Sequence, residues 1–189
     1  MGHYDTDKFA SGIIEVYERL FEQVKNRQIT LLEIGVWHGG SLQYFSSFFP
    51  NGVIIGIDVK QPSLRLPENA EFRLIDQNDS DALRQLAEEM GPFDIVIDDG
   101  SHMRRETSNC FDVLWRYVKE EGAYIIEDWA VGYHSNKMFR GSTVELVTKI
   151  IRKKESLGIR AIDLEVNEAR SVLILRKQIG PSLRIPPMS

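Results

Sequence analysis

The sequence predicts an α/β fold: a mostly parallel sheet with helices on both faces and an antiparallel hairpin at its end. Three observations carry this. The apolar runs at 30–36, 53–58, 93–97 and 123–126 are continuous rather than alternating, as expected of strands buried on both faces. Helical periodicity and turn residues follow them, so strands and helices alternate along the chain. The last two β-rich runs, 160–166 and 171–176, are separated only by Asn167-Glu168-Ala169-Arg170, too short for a crossover helix.

Each element has its own signal. Residues 1–8 are polar, and Ile13, Ile14, Tyr17, Leu20, Phe21 and Val24 then recur at helical spacing. Residues 1–28 are therefore a helical segment packed on the sheet or over a ligand. Strand one, 30–36, runs through Gly39-Gly40 into a helix over 41–49, which Pro50-Asn51-Gly52 ends before strand two, 53–58. A loop over 61–69 with Pro62 and Pro67 leads to strand three, 71–76. A helix over 79–90 turns Leu83, Leu86 and Met90 inward, with Asp79 or Ser80 at its cap, and Gly91-Pro92 closes it. Strand four, 93–97, delivers Asp98-Asp99-Gly100-Ser101-His102. A helix over 106–119 groups Phe111, Leu114, Trp115 and Val118 on one face, and strand five, 123–126, delivers Glu127-Asp128-Trp129. Residues 129–141 are rich in Gly, His, Ser and Asn and long enough for a lid. A helix over 142–156 turns Val144, Val147, Ile150 and Ile151 inward, and Arg152-Lys153-Lys154 complement its dipole on a solvated face. The stretch 180–189 carries three prolines and reads as an extended or mobile tail.

Composition narrows the class. At 189 residues, 42% hydrophobic and 27% charged, the expectation is one globular domain over 1–189 with a full core. A net charge of −5 and a pI of about 5.4 give no basic footprint, so nucleic acid is not an expected partner. The one cysteine, Cys110, excludes a disulfide framework and a cysteine-based metal cluster, and reads as a small buried hydrophobe. No apolar run approaches the ~20 residues of a membrane span, and MGHYDTDK has no signal-peptide core, so the expected location is the cytoplasm, away from membranes.

Ligands of an open α/β sheet bind beyond the carboxyl ends of its strands. At the first of these, TLLEIGVWHGGS, the glycines Gly35, Gly39 and Gly40 spell E-x-G-x-x-x-G-G. That is not the G-x-G-x-x-G of a pyrophosphate cradle, and no G-x-x-x-x-G-K-[ST] occurs. Glu33 suits a cationic group there and would repel a phosphate. A turn whose glycines only pack helix on strand would look the same. Asp58, ending strand two, is placed to accept two ribose hydroxyls. Glu33, Asp58, Asp76, Asp98-Asp99 and Glu127-Asp128 all fall on one rim. If strands four and five are neighbours, ~4.8 Å apart, Asp99 and Glu127-Asp128 converge. Like charges that close call for a cation, and all-oxygen ligands suit a hard divalent one, Mg²⁺ or Ca²⁺. His102, with an ordinary pKa of about 6.5, can take a proton near neutral pH. A histidine that caps a helix or fills a turn is the alternative.

Assembled, these motifs resemble a known family. The E-x-G-x-x-x-G turn is similar to the first motif of class I S-adenosylmethionine (SAM) methyltransferases. The βα units closed by a hairpin resemble their Rossmann-like fold, which implies a seven-stranded sheet in the order 3-2-1-4-5-7-6. LLEIGVWHGGSLQYFSSFFPNGVIIGIDV, DQNDSD, VIDDGSHM and YIIEDW resemble the SAM- and metal-dependent sugar O-methyltransferases of macrolide biosynthesis, the demethylmacrocin and mycinamicin type, over about residues 5–130. The cephalosporin hydroxylase and rhamnosyl O-methyltransferase group has similar motifs. Thr6-Asp7-Lys8 and Tyr17-Glu18-Arg19-Leu20-Phe21 also fit, whereas the family's His-x-Tyr between them is Ser11-Gly12-Ile13 here.

The resemblance implies a metal, Mg²⁺, held by Asp99, Glu127 and Asp128, with His102 as general base. It implies SAM along Glu33, Gly35, Asp58 and Asp76, with Gln77 near the adenine and with Gly39 and Asp98 in the same set. The activity implied is methyl transfer to a hydroxyl of a sugar or glycoside, and a homo-oligomer is compatible with it. Two alternatives stay open: a SAM- or nucleoside-binding module without transfer activity, and a metal-dependent enzyme of other chemistry on the same fold.

Overall fold

In the structure, a computed structural model that describes residues 4–130, 143–166 and 171–177, seven strands form one sheet. They are β1 (Thr30–Ile34), β2 (Val53–Asp58), β3 (Ala70–Leu74), β4 (Phe93–Asp98), β5 (Val118–Glu127), β6 (Ala161–Val166) and β7 (Ser171–Arg176). The order is β3-β2-β1-β4-β5-β7-β6, the one the resemblance implied. The pairs among β1 to β5 are parallel, and β7 is antiparallel to both β5 and β6. Register aligns the carboxyl ends: Ile34 lies opposite both Ile57 and Asp98, and Asp98 lies opposite Ile126. Residues just past β1, β2, β4 and β5 therefore share one rim.

Alternation along each central strand sends neighbouring side chains to opposite faces, and both faces are apolar. Leu31, Ile54, Ile95, Ile97 and Ile125 pack under α1 (Ile13–Phe21) and α2 (Gly40–Phe48), against Tyr17, Phe21 and Phe45. Leu32, Ile55, Val96, Tyr124 and Leu173 pack under α3 (Ser80–Met90), α4 (Arg104–Leu114) and α5 (Val144–Lys153), against Leu83, Phe111 and Val147. Asp79 caps α3, its carboxylate accepting from the amides of Asp81 and Ala82 at 3.1 and 3.0 Å. Cys110 is free and buried in α4, as a small hydrophobe. Among the described residues no helix is long and apolar enough to cross a membrane.

Several boundaries differ from the periodicity. The helix read over 106–119 stops at Leu114, a 3₁₀ turn covers Trp115–Tyr117, and β5 begins at Val118, which pairs with Phe93 across a register shift. Val118 fits the helical stripe equally well; sheet pairing decides its state. β3 ends at Leu74, opposite Asp58, so Asp76 sits in the loop beyond it. On α5 the inward residues are Leu146, Val147 and Ile150, while Ile151 is 42% exposed, because the helix rests on the sheet by a narrower stripe than assumed. The lid expected over 129–141 falls almost entirely, and the tail over 180–189 wholly, outside the described residues.

Candidate active site

At the end of β1 the chain turns sharply. Gly35 has φ +84°, and a Cβ there would stand 2.2 Å from the carbonyl oxygen of Asp99, so only glycine lets the ends of β1 and β4 touch. Asp58 shapes the same turn: its Oδ2 accepts from the amides of Val36 and Trp37 at 3.0 and 3.1 Å, and its Oδ1 from that of Lys60 at 3.1 Å. Opposite, Gln77 Oε1 accepts from the amide of Ser101 at 2.8 Å and ties the β3 loop to the β4 turn. Between these walls lies a cavity of about 680 Å³, within the range of small-molecule sites, about 300–1,000 Å³.

Of the residues singled out by sequence, Gly35, Asp58, Asp76, Gln77, Asp99, His102 and Asp128 line this cavity. Glu33, Gly39, Asp98 and Glu127 are not among its lining residues. Gly39 backs onto Pro62 and Leu66. Asp98 is buried, accepts from the Tyr124 hydroxyl at 3.1 Å, and has its carboxyl pushed up to about 7 by burial. Glu33 is fully buried, accepts from Ser41 Oγ at 2.7 Å, and is pushed up to about 8 by burial, with Lys8 pulling the other way.

Glu127 faces the core side of the rim, where it meets a residue that the sequence reading gave no role. The Lys8 side chain is 3% exposed, and its ammonium donates 2.6 Å hydrogen bonds to both Asp99 Oδ2 and Glu127 Oε1, with Glu33 Oε1 at 3.5 Å. The Tyr17 hydroxyl donates to the same Glu127 oxygen at 2.5 Å. Burial alone would lower the Lys8 pKa, but Asp99, Glu127 and Glu33 outweigh it and hold the group well above its ordinary value, so it is charged. The crowding of acids that argued for a metal is thus relieved in part by a cation of the chain itself.

Facing the cavity, Asp99, His102 and Asp128 each offer one ligand atom, and these atoms lie within 4.8 Å of one another. Two carboxylates and an imidazole fit a divalent cation that accepts oxygen and nitrogen donors. The trio holds two of the three ligands implied by resemblance, Asp99 and Asp128, together with His102, the implied base; Glu127 is not part of it. Burial lowers the His102 pKa against the pull of Asp128 and Glu127, which leaves the imidazole neutral and able to accept a proton. Asp128 is raised by burial and drawn back by His102.

Backbone strain marks the same place. The non-glycine residues with positive φ among the described ones are Trp37 (46°), His102 (56°) and Asp128 (51°), and all three line the cavity. Such conformations cost about 1–3 kcal/mol each and persist where surrounding structure imposes them. Sequence reasoning passed over Trp37, which is largely exposed and stacks on His38 at 4.0 Å. It also passed over the cavity residues Asp7 and Glu106. The motif Thr6-Asp7-Lys8 was the available signal for the N-terminal contribution.

Known proteins share this fold and much of this sequence. A family model described as a methyltransferase domain matches residues 32–129. Mycinamicin VI 2''-O-methyltransferase of Micromonospora griseorubida is 42% identical over 126 residues, 62% of this chain and 31% of that protein. The solved structure of the MycE methyltransferase from the mycinamycin pathway, in complex with Mg, SAH and mycinamycin VI, aligns with a TM-score of 0.72 at 32% identity. That alignment covers 92% of this chain and 51% of the other. Ribosomal RNA large subunit methyltransferase E of Syntrophobacter fumaroxidans is 33% identical over 158 residues, 80% of this chain and 79% of that protein. The chain spans about a third to a half of the length of the macrolide relatives. Because residues 32–129 take in every residue lining the cavity except Asp7, fold, cavity and sequence agree, and the chain belongs to the methyltransferase-domain family.

Proposed function

We propose that this chain is a SAM-dependent O-methyltransferase whose acceptor is a hydroxyl of a sugar or glycoside, assisted by Mg²⁺ or another hard divalent cation. The observation that carries the reading is that the trio Asp99, His102 and Asp128 lines the same cavity as Gly35, Asp58, Asp76 and Gln77. The mycinamicin relative, solved with Mg and SAH, supports the same ligand classes here.

Asp58 uses three of its roughly four lone-pair sites on the turn and keeps one on Oδ1, which can accept from one hydroxyl of a ribose. Gln77 and Asp76 border the position suited to the base. A bound divalent cation would polarise the acceptor hydroxyl and lower its pKa. In the transfer the methyl carbon leaves the sulfonium sulfur for the hydroxyl oxygen, and the hydroxyl proton passes to a ring nitrogen of His102, whose neutral form is ready for it. The products are S-adenosylhomocysteine and the methyl ether.

Calorimetry with S-adenosylhomocysteine, followed by transfer from labelled SAM to free and glycosidic deoxysugars with Mg²⁺ or with EDTA, tests the reading. Binding without transfer to any hydroxylated acceptor would favour a binding module. The ribosomal RNA relative, matched over 79% of its length, makes RNA the second acceptor to assay. The net charge of −5 favours the small acceptor over the polyanion.

A further inference from the structure

We propose that Lys8 is a positioning residue for the metal-binding rim: its ammonium is a built-in counter-ion between Asp99 and Glu127, which assembles the rim before any divalent cation arrives. The inference rests on the reading above only in taking Asp99 and Asp128 as metal ligands.

Lys8 lies 91 residues before Asp99 and 119 before Glu127, yet bonds both. Its own backbone is anchored, because its carbonyl accepts from the amides of Ile13 and Ile14 at 3.1 and 3.4 Å and from Ser11 Oγ at 3.3 Å, at the start of α1. The ammonium therefore comes from a fixed point.

Two consequences follow for the carboxylates. Asp99 gives Oδ2 to Lys8 and still lines the cavity. Glu127 Oε1 is taken by both Lys8 and Tyr17, and the residue stays off the cavity wall. Lys8 thus withholds Glu127 and leaves the metal to Asp99 and Asp128, with His102 beside them as the base. It also offsets one negative charge among Asp99, Glu127 and Asp128, so the fold does not depend on a metal to hold these acids together. The cost is weaker attraction for the divalent ion, since a positive charge stands one carboxylate away from it.

The test uses Mn²⁺ as a paramagnetic stand-in, with affinity read by magnetic resonance and melting temperature measured in chelator and in Mn²⁺. Wild type should fold in chelator and gain in Mn²⁺ only the few degrees that ligand binding by itself gives. Lys8→Met should melt on the order of 10 °C lower in chelator, regain most of that with Mn²⁺, and bind Mn²⁺ at least tenfold more tightly. A merely structural lysine would weaken metal binding or leave it alone. Lys8→Met/Glu127→Gln, which removes the stranded carboxylate, should fold in chelator and bind Mn²⁺ within about threefold of wild type. It carries the test if the single variant fails to fold. Unchanged Mn²⁺ affinity in Lys8→Met, a double variant that also fails to fold, or a wild type that binds no Mn²⁺ overturns the proposal. S-adenosylhomocysteine binding on the same samples reads the proposed function separately: its absence with the Mn²⁺ pattern intact defeats that reading and spares the role of Lys8.

Discussion

The Thr143 hydroxyl donates a 2.8 Å hydrogen bond to the main-chain carbonyl of His102, joining the start of α5 to the turn after β4. His102 stands at φ 56° and Thr143 is buried, so the bond helps to hold a strained residue at the cavity. Thr143→Val keeps the shape and deletes the bond, which should lower stability by about 0.5–1.5 kcal/mol. Turnover should fall with it, and by less than in His102→Ala, for which a loss of about 10²–10⁴ in kcat is expected of a missing base. Affinity for S-adenosylhomocysteine should stay near wild type in both. Single-turnover rates beside calorimetry check this; an undiminished rate in His102→Ala would remove the base assignment.

Asp58 serves two tasks that substitution can separate. Asp58→Ala should weaken S-adenosylhomocysteine binding by about 1.5–3 kcal/mol, the range for hydrogen bonds to a charged group, and should also loosen the turn at Val36 and Trp37. Asp58→Asn keeps one acceptor oxygen, and should recover most of the melting temperature but little of the affinity. Equal melting temperatures for the two variants would show that the turn does not lean on this carboxylate.

The placement of Glu127 away from the cavity gives a ranking for metal affinity. Asp99→Asn and Asp128→Asn should each weaken Mn²⁺ binding by tenfold or more, and Glu127→Gln by much less, because its described partners are Lys8 and Tyr17. EDTA should abolish methyl transfer and Mg²⁺ restore it. Titrations in which Glu127→Gln is the most damaging of the three would return Glu127 to the coordination sphere.

Burial of Glu33 makes a pH prediction. Its carboxyl is raised from 4.5 to about 8 in the folded state, so between these values the native chain holds a proton that the unfolded chain has released. Stability must then fall as pH rises through this window, by up to about 1.4 kcal/mol per pH unit from this group. Glu33→Gln removes the contribution. Denaturant unfolding at pH 5, 6.5 and 8 should show a shallower decline in the variant and a stability gain over wild type that grows with pH. A difference constant across the series would contradict the assignment.

The alternation of buried runs with helical periodicity was legible without coordinates, because hydrophobic period is a local property of the chain. So were Asp58, Asp99, His102 and Asp128 as residues of a strand-end rim, since any residue just past a parallel strand must lie on that edge. What period and spacing do not contain is the face that a strand-end side chain takes. Asp98 and Asp99 are consecutive, as are Glu127 and Asp128, yet in each pair only the second lines the cavity. β5 also had to be paired with β4 before Val118 could leave the helix. Lys8 was the hardest to read: a lysine in a polar segment reads as solvated, and only long-range packing of α1 on the sheet brings it to Asp99 and Glu127. A charge is buried when its partners are buried with it, and those partners are remote in sequence, so the tertiary structure alone decided the electrostatics of the rim.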